Sequence, residues 1–360
     1  MIGVNLDDAW RYAGVKEPKS IIIPHFLSLS LPEGRILDKI DDIIIRVHGD
    51  QEPTTVADRA ILALAETLTD AKVDYVRCWF PWKFFEPTLV PEEQLQNLLD
   101  NSYDKWPMDN FVKVLGDHGI DIIPVVACGY QRMLPEGMKI DADRAMYLKR
   151  AYIHTRLMVR RYGNKVRYWQ IENEPNWWRM HEAGGWRSGV TWIDTHRFKE
   201  ELLKVLNDAV HEEDSNAQTL INLEADSKLE DVSSYTRYCD MLGLDFYPNY
   251  RAASPINTSV FKLADQVANE IGKSVLILET GYPSGPFILG YTPSKQSEYI
   301  GKACLEAFTL QSVNAIGIWR YIDTPWKSFP DQENHFGLFD NHGNPKPAWR
   351  TLSEMIKKLK

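Results

Sequence analysis

No uninterrupted apolar run of about 18 residues occurs in the 360-residue chain, so no membrane-spanning helix is expected. The opening MIGVNLDDAW has no basic segment leading into an apolar stretch. No signal peptide is therefore expected, and the expected compartment is the cytoplasm, or the exterior if a leader has been removed. Acidic side chains outnumber basic ones, for a formal net charge of -9, and the basic residues form no cluster that would track phosphates. Nucleic acid is thus not an expected partner. Cysteine is scarce: Cys78, Cys128, Cys239 and Cys304 lie far apart with no CxxC pair, the pattern of buried free thiols. The nine histidines show no HxH or HExxH spacing, which argues against a catalytic metal. Neither GxGxxG nor GKS/GKT follows any strand-like run, so no dinucleotide, P-loop nucleotide or other cofactor is expected.

Aromatic residues, in contrast, are plentiful, with 12 Trp and 16 Tyr. Short β-rich apolar runs alternate with amphipathic helical stretches about eight times. The candidate strands are Ile2 to Leu6, Tyr75 to Phe80, Ile120 to Ala127, Val166 to Asn173, Thr219 to Leu223, Met241 to Tyr247, Ser274 to Glu279 and Ala315 to Trp319. Strand followed by helix implies parallel strands, because a parallel neighbour needs a crossover. Eight such units, with strands apolar enough to be covered on both faces, predict an α/β fold consisting of one closed (β/α)8 TIM barrel spanning residues 1–360. Only the excursion at about 11–53, with SIIIPHFLSLS and DDIIIRVHGD, resists assignment and reads as an insertion. Links from helix to strand are terse (DAKVD, YGNKVRY, EIGKSV), whereas links from strand to helix are long (PNWWRMHEAGGWRSGV, TGYPSGPFILGY). Elaboration at the carboxyl ends of the strands is where a barrel keeps its active site.

Within this frame the run YWQIENEPNWW places Asn173 and Glu174 at the carboxyl end of the fourth strand, and SVLILETGYPS places Glu279 at the end of the seventh. Strands four and seven lie across a barrel from each other, so the two carboxylates can face one another over the central cavity. Opposed carboxylates are what glycoside hydrolysis requires, one to protonate the leaving oxygen and one to attack the anomeric carbon or activate water.

With these residues in place, IENEP together with LILETGYP resembles the clan A glycoside hydrolases, family five and endo-galactanase-like members included. These are retaining glycosidases on a (β/α)8 barrel, and the resemblance covers nearly the whole chain. It implies that Glu174 is the general acid/base, Glu279 the nucleophile and Asn173 the partner of the sugar 2-hydroxyl. VRCWFPW is similar to the clan's second strand, implying that Arg77 orients the nucleophile. GLDFYPNY is similar to its sixth, implying that Tyr247 donates to the nucleophile, and IGIWRYID to its eighth, implying that Trp319 floors the subsite of the reacting sugar. HFGLFDNHGNPKPAW is similar to the clan's closing segment. The chain departs from cellulase-like members in having no matching His in ACGYQRM or FYPNYRA.

Other readings of these residues remain open at this point. Glu172 shares a strand face with Glu174 under simple alternation and is a second candidate acid, while Glu224 and Asp245 read as structural charges near strand ends. Trp79, Trp82, Trp177, Trp178, Trp186, Trp192 and Trp326 fall mostly in the long loops. Indole rings stack on the apolar faces of sugars, and Trp177, Trp178 and Trp326 are the expected subsite residues. The expected activity is retaining, endo-acting cleavage of a β-linked oligo- or polysaccharide. The alternative is a carbohydrate-binding barrel without catalysis.

Overall fold

Eight parallel strands pair in sequence order and close into a barrel, the last hydrogen-bonded to the first, in the computed structural model of the chain. It describes residues 1–6, 56–104, 106–126, 128–129, 133–138, 143–176, 196–225, 232–323 and 331–360, with the side chains of 56–58 and 196–199 excepted. The expected insertion at about 11–53 lies outside the described residues, as do Trp177, Trp178, Trp186, Trp192 and Trp326.

The strands are β1 (Ile2–Leu6), β2 (Tyr75–Trp79), β3 (Asp121–Val125), β4 (Tyr168–Asn173), β5 (Gln218–Glu224), β6 (Met241–Phe246), β7 (Val275–Thr280) and β8 (Val313–Ile318). Each matches one of the eight apolar runs in the sequence, with ends differing by a residue or two. Longer helices intervene: α1 (Val56–Asp70), α2 (Asp109–Asp117), α3 (Arg144–Tyr162), α4 (His196–Glu213), α5 (Lys262–Ile271), α6 (Pro293–Thr309) and α7 (Pro347–Leu359).

Their ends follow local chemistry. Asp143 caps α3 by accepting the Met146 N–H at 2.9 Å, and Thr292 caps α6 by accepting that of Lys295 at 3.2 Å. Gly272 ends α5 in the left-handed region at φ 64°, where a Cβ would be strained. The outward faces of the strands and the inward faces of the helices form one large apolar layer, to which Trp169, Ile171, Leu223, Phe246 and Ile277 contribute from the strands.

Inside the barrel, side chains stack in two layers of opposite character. The lower is apolar: Tyr75, Ile123, Leu220, Met241, Leu276, Leu278 and Ala315. Tyr75 crosses this layer because Gly3 and Gly317 have no side chains. A Cβ on Gly3 would lie 2.4 Å from its ring, and one on Gly317 would lie 2.9 Å from its hydroxyl. Gly3→Ala is therefore expected to destabilise the fold by about 1–3 kcal/mol, as overpacking of a filled core does. The denaturation midpoint of the variant checks this. Above Tyr75, toward the carboxyl ends of the strands, lies a polar layer of Asn5, Arg77, Gln170, Asn222 and Asp245, all essentially buried.

Candidate active site

The polar layer is organised by the guanidinium of Arg77, which is 1% exposed and donates to four side chains on three other strands. Nη1 reaches Glu279 Oε1 at 2.5 Å and Asn5 Oδ1 at 3.0 Å, Nη2 reaches Asn173 Oδ1 at 2.5 Å, and Nε reaches Gln170 Oε1 at 2.5 Å. A buried cation needs such saturation, because an unpaired charge in the interior is strongly unfavourable. The second oxygen of Glu279 accepts the Tyr247 hydroxyl at 2.7 Å. Both oxygens of this carboxylate thus receive charge-assisted bonds, the donor set of an anion. Burial, followed by the charge of Glu279, raises the Tyr247 hydroxyl well above its ordinary range and keeps it a donor.

Asn173 lies in the same network. Its Oδ1 accepts from Arg77 and from Asn222 Nδ2 at 3.0 Å, with Gln170 Nε2 at 3.3 Å. Donors crowded on that oxygen fix the amide flip and leave its NH2 as the end presented elsewhere.

Glu174 follows directly, at φ 42°, a left-handed conformation that is sparsely populated for a residue with a side chain. Its N–H is held by Asn222, at 3.1 Å from both the main-chain oxygen and Oδ1. The next turn is pinned to β5 by a reciprocal pair: Asn176 Nδ2 donates to the Glu224 carbonyl at 2.9 Å, and Glu224 N–H donates to Asn176 Oδ1 at 3.0 Å.

One oxygen from each of Glu174, Asp245 and Glu279 lies within 4.8 Å of the other two. Burial, then the charge of Glu279, pushes the Glu174 carboxyl up to about 8, so it holds a proton at neutral pH. Among the described residues this trio is also the one cluster spaced to hold a metal ion. No His or Cys joins it, and Arg77, Tyr247 and Asn222 already supply the positive charge and donors that a cation would bring.

Two β-bulges aim these side chains. Between β4 and β5 the register runs Gln170↔Leu220, then Glu172↔Ile221 and Asn173↔Asn222, so β4 carries an extra residue. Between β6 and β7 it runs Leu244↔Ile277, then Asp245↔Glu279, an extra residue on β7. A bulge reverses the alternation beyond it. Asn173 and Glu279, which simple alternation from Gln170 and Leu278 would turn toward the helices, face the barrel instead.

Glu172 lies just beyond the bulge and faces out of the barrel, whereas the left-handed backbone at Glu174 turns that residue inward, which corrects the expectation for Glu172. It does not share a face with Glu174. Its carboxyl accepts the N–H of Gly129 at 2.8 Å and that of Asn173 at 2.9 Å, joining β4 to the loop after β3. Burial raises this carboxyl to about 8 as well, but it lies outside the carboxylate cluster.

The structure thus brings Arg77, Asn173, Glu174, Tyr247 and Glu279 into one site. Trp319, half-buried just past β8, donates its N–H to the Thr280 carbonyl at 2.8 Å, next to Glu279 in the chain. Trp82 is buried and stacks on His154 with ring centroids 4.5 Å apart, a packing role. Asp245, read from the sequence as a structural charge, instead sits against both glutamates. Asn5, Gln170 and Asn222 were also missed. The available signal was a polar amide within an apolar strand run: Asn5 in GVNL, Gln170 in YWQIEN and Asn222 in LINLE.

No protein-family model matches the sequence, and no curated protein is similar to it. Solved structures do share the fold. A GH5_18 protein from Streptomyces cattleya in complex with GlcNAc superposes with a TM-score of 0.64 at 15% identity, covering 84% of this chain and 75% of that one. A GH5_18 variant from Bifidobacterium longum in complex with Manb1-4GlcNAc gives 0.62 at 16% identity, covering 83% and 73%. A family 39 glycoside hydrolase from Bacteroides cellulosilyticus gives 0.60 at 16% identity, covering 82% and 60%.

Proposed function

We propose that the chain is a clan A glycoside hydrolase that cleaves β-linked oligo- or polysaccharide with retention, residues 1–360 forming one catalytic barrel. The observation that carries the reading is the pairing of a proton-holding Glu174 with a donor-saturated Glu279, carboxylate oxygens within 4.8 Å. Double displacement works at about 5–5.5 Å between carboxyls, whereas inversion needs roughly 6.5–9.5 Å to admit water. The short separation supports retention.

In the first step Glu279 attacks the anomeric carbon while Glu174 gives its proton to the departing oxygen. Ester formation removes the Glu279 charge, the second largest cause of the raised Glu174 carboxyl. Glu174 therefore becomes more acidic once its proton has been spent, which suits it to take a proton from the water that cleaves the ester. Asn173, with its amide oriented by Arg77, Gln170 and Asn222, presents its NH2 to the sugar 2-hydroxyl. Trp319 floors the reacting subsite, and Trp177, Trp178 and Trp326 are assigned to stack on further sugar units in endo attack.

The fold neighbours complexed with Manb1-4GlcNAc and with GlcNAc make β-mannosides and N-acetyl-β-glucosaminides the first substrates to try. Proton NMR of the first products released from a panel of β-linked oligosaccharides, Manb1-4GlcNAc included, tests the proposal. The β-anomer is expected to appear first. Early release of the α-anomer would remove the double-displacement roles. Binding without cleavage of any member would leave a carbohydrate-binding barrel.

A further inference from the structure

The third carboxylate has no part in the double-displacement scheme, yet it is the most deeply buried of the three. Asp245 is 0% exposed and lies beside Glu224 on β5 and Glu279 on β7 in the strand register. The charged and titratable groups around it come from several elements: Glu224 on β5, Glu174 beyond β4, Glu279 on β7, Arg77 and Tyr75 on β2, and Tyr247 just past its own strand. One oxygen, Oδ2, accepts from Asn222 Nδ2. The other, Oδ1, is buried and receives no hydrogen bond. Arg77, the one cation in the cluster, is committed to Asn5, Gln170, Asn173 and Glu279.

A bare Asp245 carboxylate would therefore face two more carboxyls with an unsatisfied oxygen. A proton on it relieves the repulsion and supplies a donor on the side of Glu174, an oxygen of which lies within 4.8 Å of an Asp245 oxygen.

We propose that Asp245 is a positioning residue that works as a neutral acid, its O–H held for the Glu174 carboxylate created when Glu174 protonates the leaving oxygen. This rests on the double-displacement reading. Glu174 transfers its proton to the glycosidic oxygen as that C–O bond breaks and the Glu279 ester forms. The new carboxylate then accepts the Asp245 hydroxyl, whose proton stays on Asp245. In the second step water gives a proton to Glu174, its oxygen bonds to the anomeric carbon, and Glu279 leaves as the carboxylate. Asp245 begins and ends protonated. Burial together with the charges of Glu279 and Glu174 holds its carboxyl well above the ordinary range, in keeping with this state.

Infrared spectra of the substrate-free protein carrying 13C-labelled aspartate test the proton directly, independently of any turnover. The wild-type minus Asp245→Asn difference at neutral pH is expected to contain the isotope-shifted C=O band of a protonated carboxyl. Asp245→Ser, a smaller neutral donor, should give the same loss if the Asn variant folds poorly. Only carboxylate bands in the difference would overturn the proposal, whatever the activity.

Kinetics supply the second readout. Asp245→Asn keeps a neutral donor, so its kcat should stay within about tenfold of wild type with the alkaline limb in place, while Asp245→Ala should lose about 100-fold in kcat with little change in KM. Overturning results are an Asn variant as slow as the Ala variant, or an alkaline limb displaced toward acid by a full unit.

Discussion

Replacing Glu279 with Ala is expected to lower kcat by roughly 10⁴ to 10⁶-fold, the range seen when a covalent nucleophile is removed. The magnitude follows from what the other groups are built around. Arg77 Nη1 and the Tyr247 hydroxyl both point at Glu279, and the β7 bulge brings that carboxylate into the barrel. Nothing else within the cluster has two such donors. Ala also leaves Arg77 without its counter-ion at 2.5 Å, although Asn5, Gln170 and Asn173 still hold the guanidinium. Removing one partner of a buried pair costs about 3–5 kcal/mol, so the variant should also melt at a lower temperature. Glu279→Gln separates the two effects. It retains one acceptor oxygen for Arg77, while its NH2 can donate to the Tyr247 hydroxyl oxygen, so it should recover part of the stability while remaining as inactive as the Ala variant. Kinetics on an aryl β-glycoside alongside thermal melts measure both, and turnover near the wild-type level in either variant would disqualify Glu279 as nucleophile.

Glu174→Gln is expected to show a loss that depends on the leaving group. With a sugar leaving group, protonation in the transition state is worth about 10² to 10⁴-fold, and the variant should lose that much in kcat/KM. With a highly acidic aryl leaving group the first step needs no proton, so ester formation should proceed and its hydrolysis should stall. A burst of aryl alcohol followed by a slow phase is the signature. Azide, which needs no base to attack, should speed that slow phase. Loss independent of the leaving group would instead indicate a structural role for Glu174.

The wild-type pH profile carries the same information. Glu174 must be protonated to act, and its carboxyl is raised to about 8 by burial and by the charge of Glu279. Activity on poor leaving groups should hold through neutrality and fall about tenfold per pH unit above that value, as Glu174 loses its proton. The sign for stability is opposite to that of a salt-bridged carboxylate. A carboxyl that prefers its proton in the folded state disfavours folding as pH rises from its unfolded range toward 8. The fold supports this unfavourable grouping of acids through the Arg77 network and the apolar layers around it.

Barrel architecture was legible in the sequence because its signal is additive. Each of eight apolar runs is a weak indication of a strand, but their alternation with helical periodicity, and the excess of loop length on one side, have few other solutions. The positions of Asn173, Glu174 and Glu279 were legible for the same reason, as polar residues at the ends of runs that must otherwise be buried. So was Arg77 inside VRCWF, since a charge in such a strand demands partners.

Facing was decided only in three dimensions. Alternation along YWQIEN puts Glu172 with Glu174, and alternation along VLILET puts Glu279 with the helices. A bulge where β7 meets β6 turns Glu279 inward, and a bulge where β4 meets β5 turns Glu172 outward while the left-handed backbone at Glu174 turns that residue in. A bulge is a property of two paired backbones, so a single strand's periodicity does not contain it. Asp245 and Asn222 likewise look like isolated polar residues on separate strands. Only the closed barrel brings them within hydrogen-bonding distance of residues 49 and 23 positions away, where burial and neighbouring charges give each its chemistry.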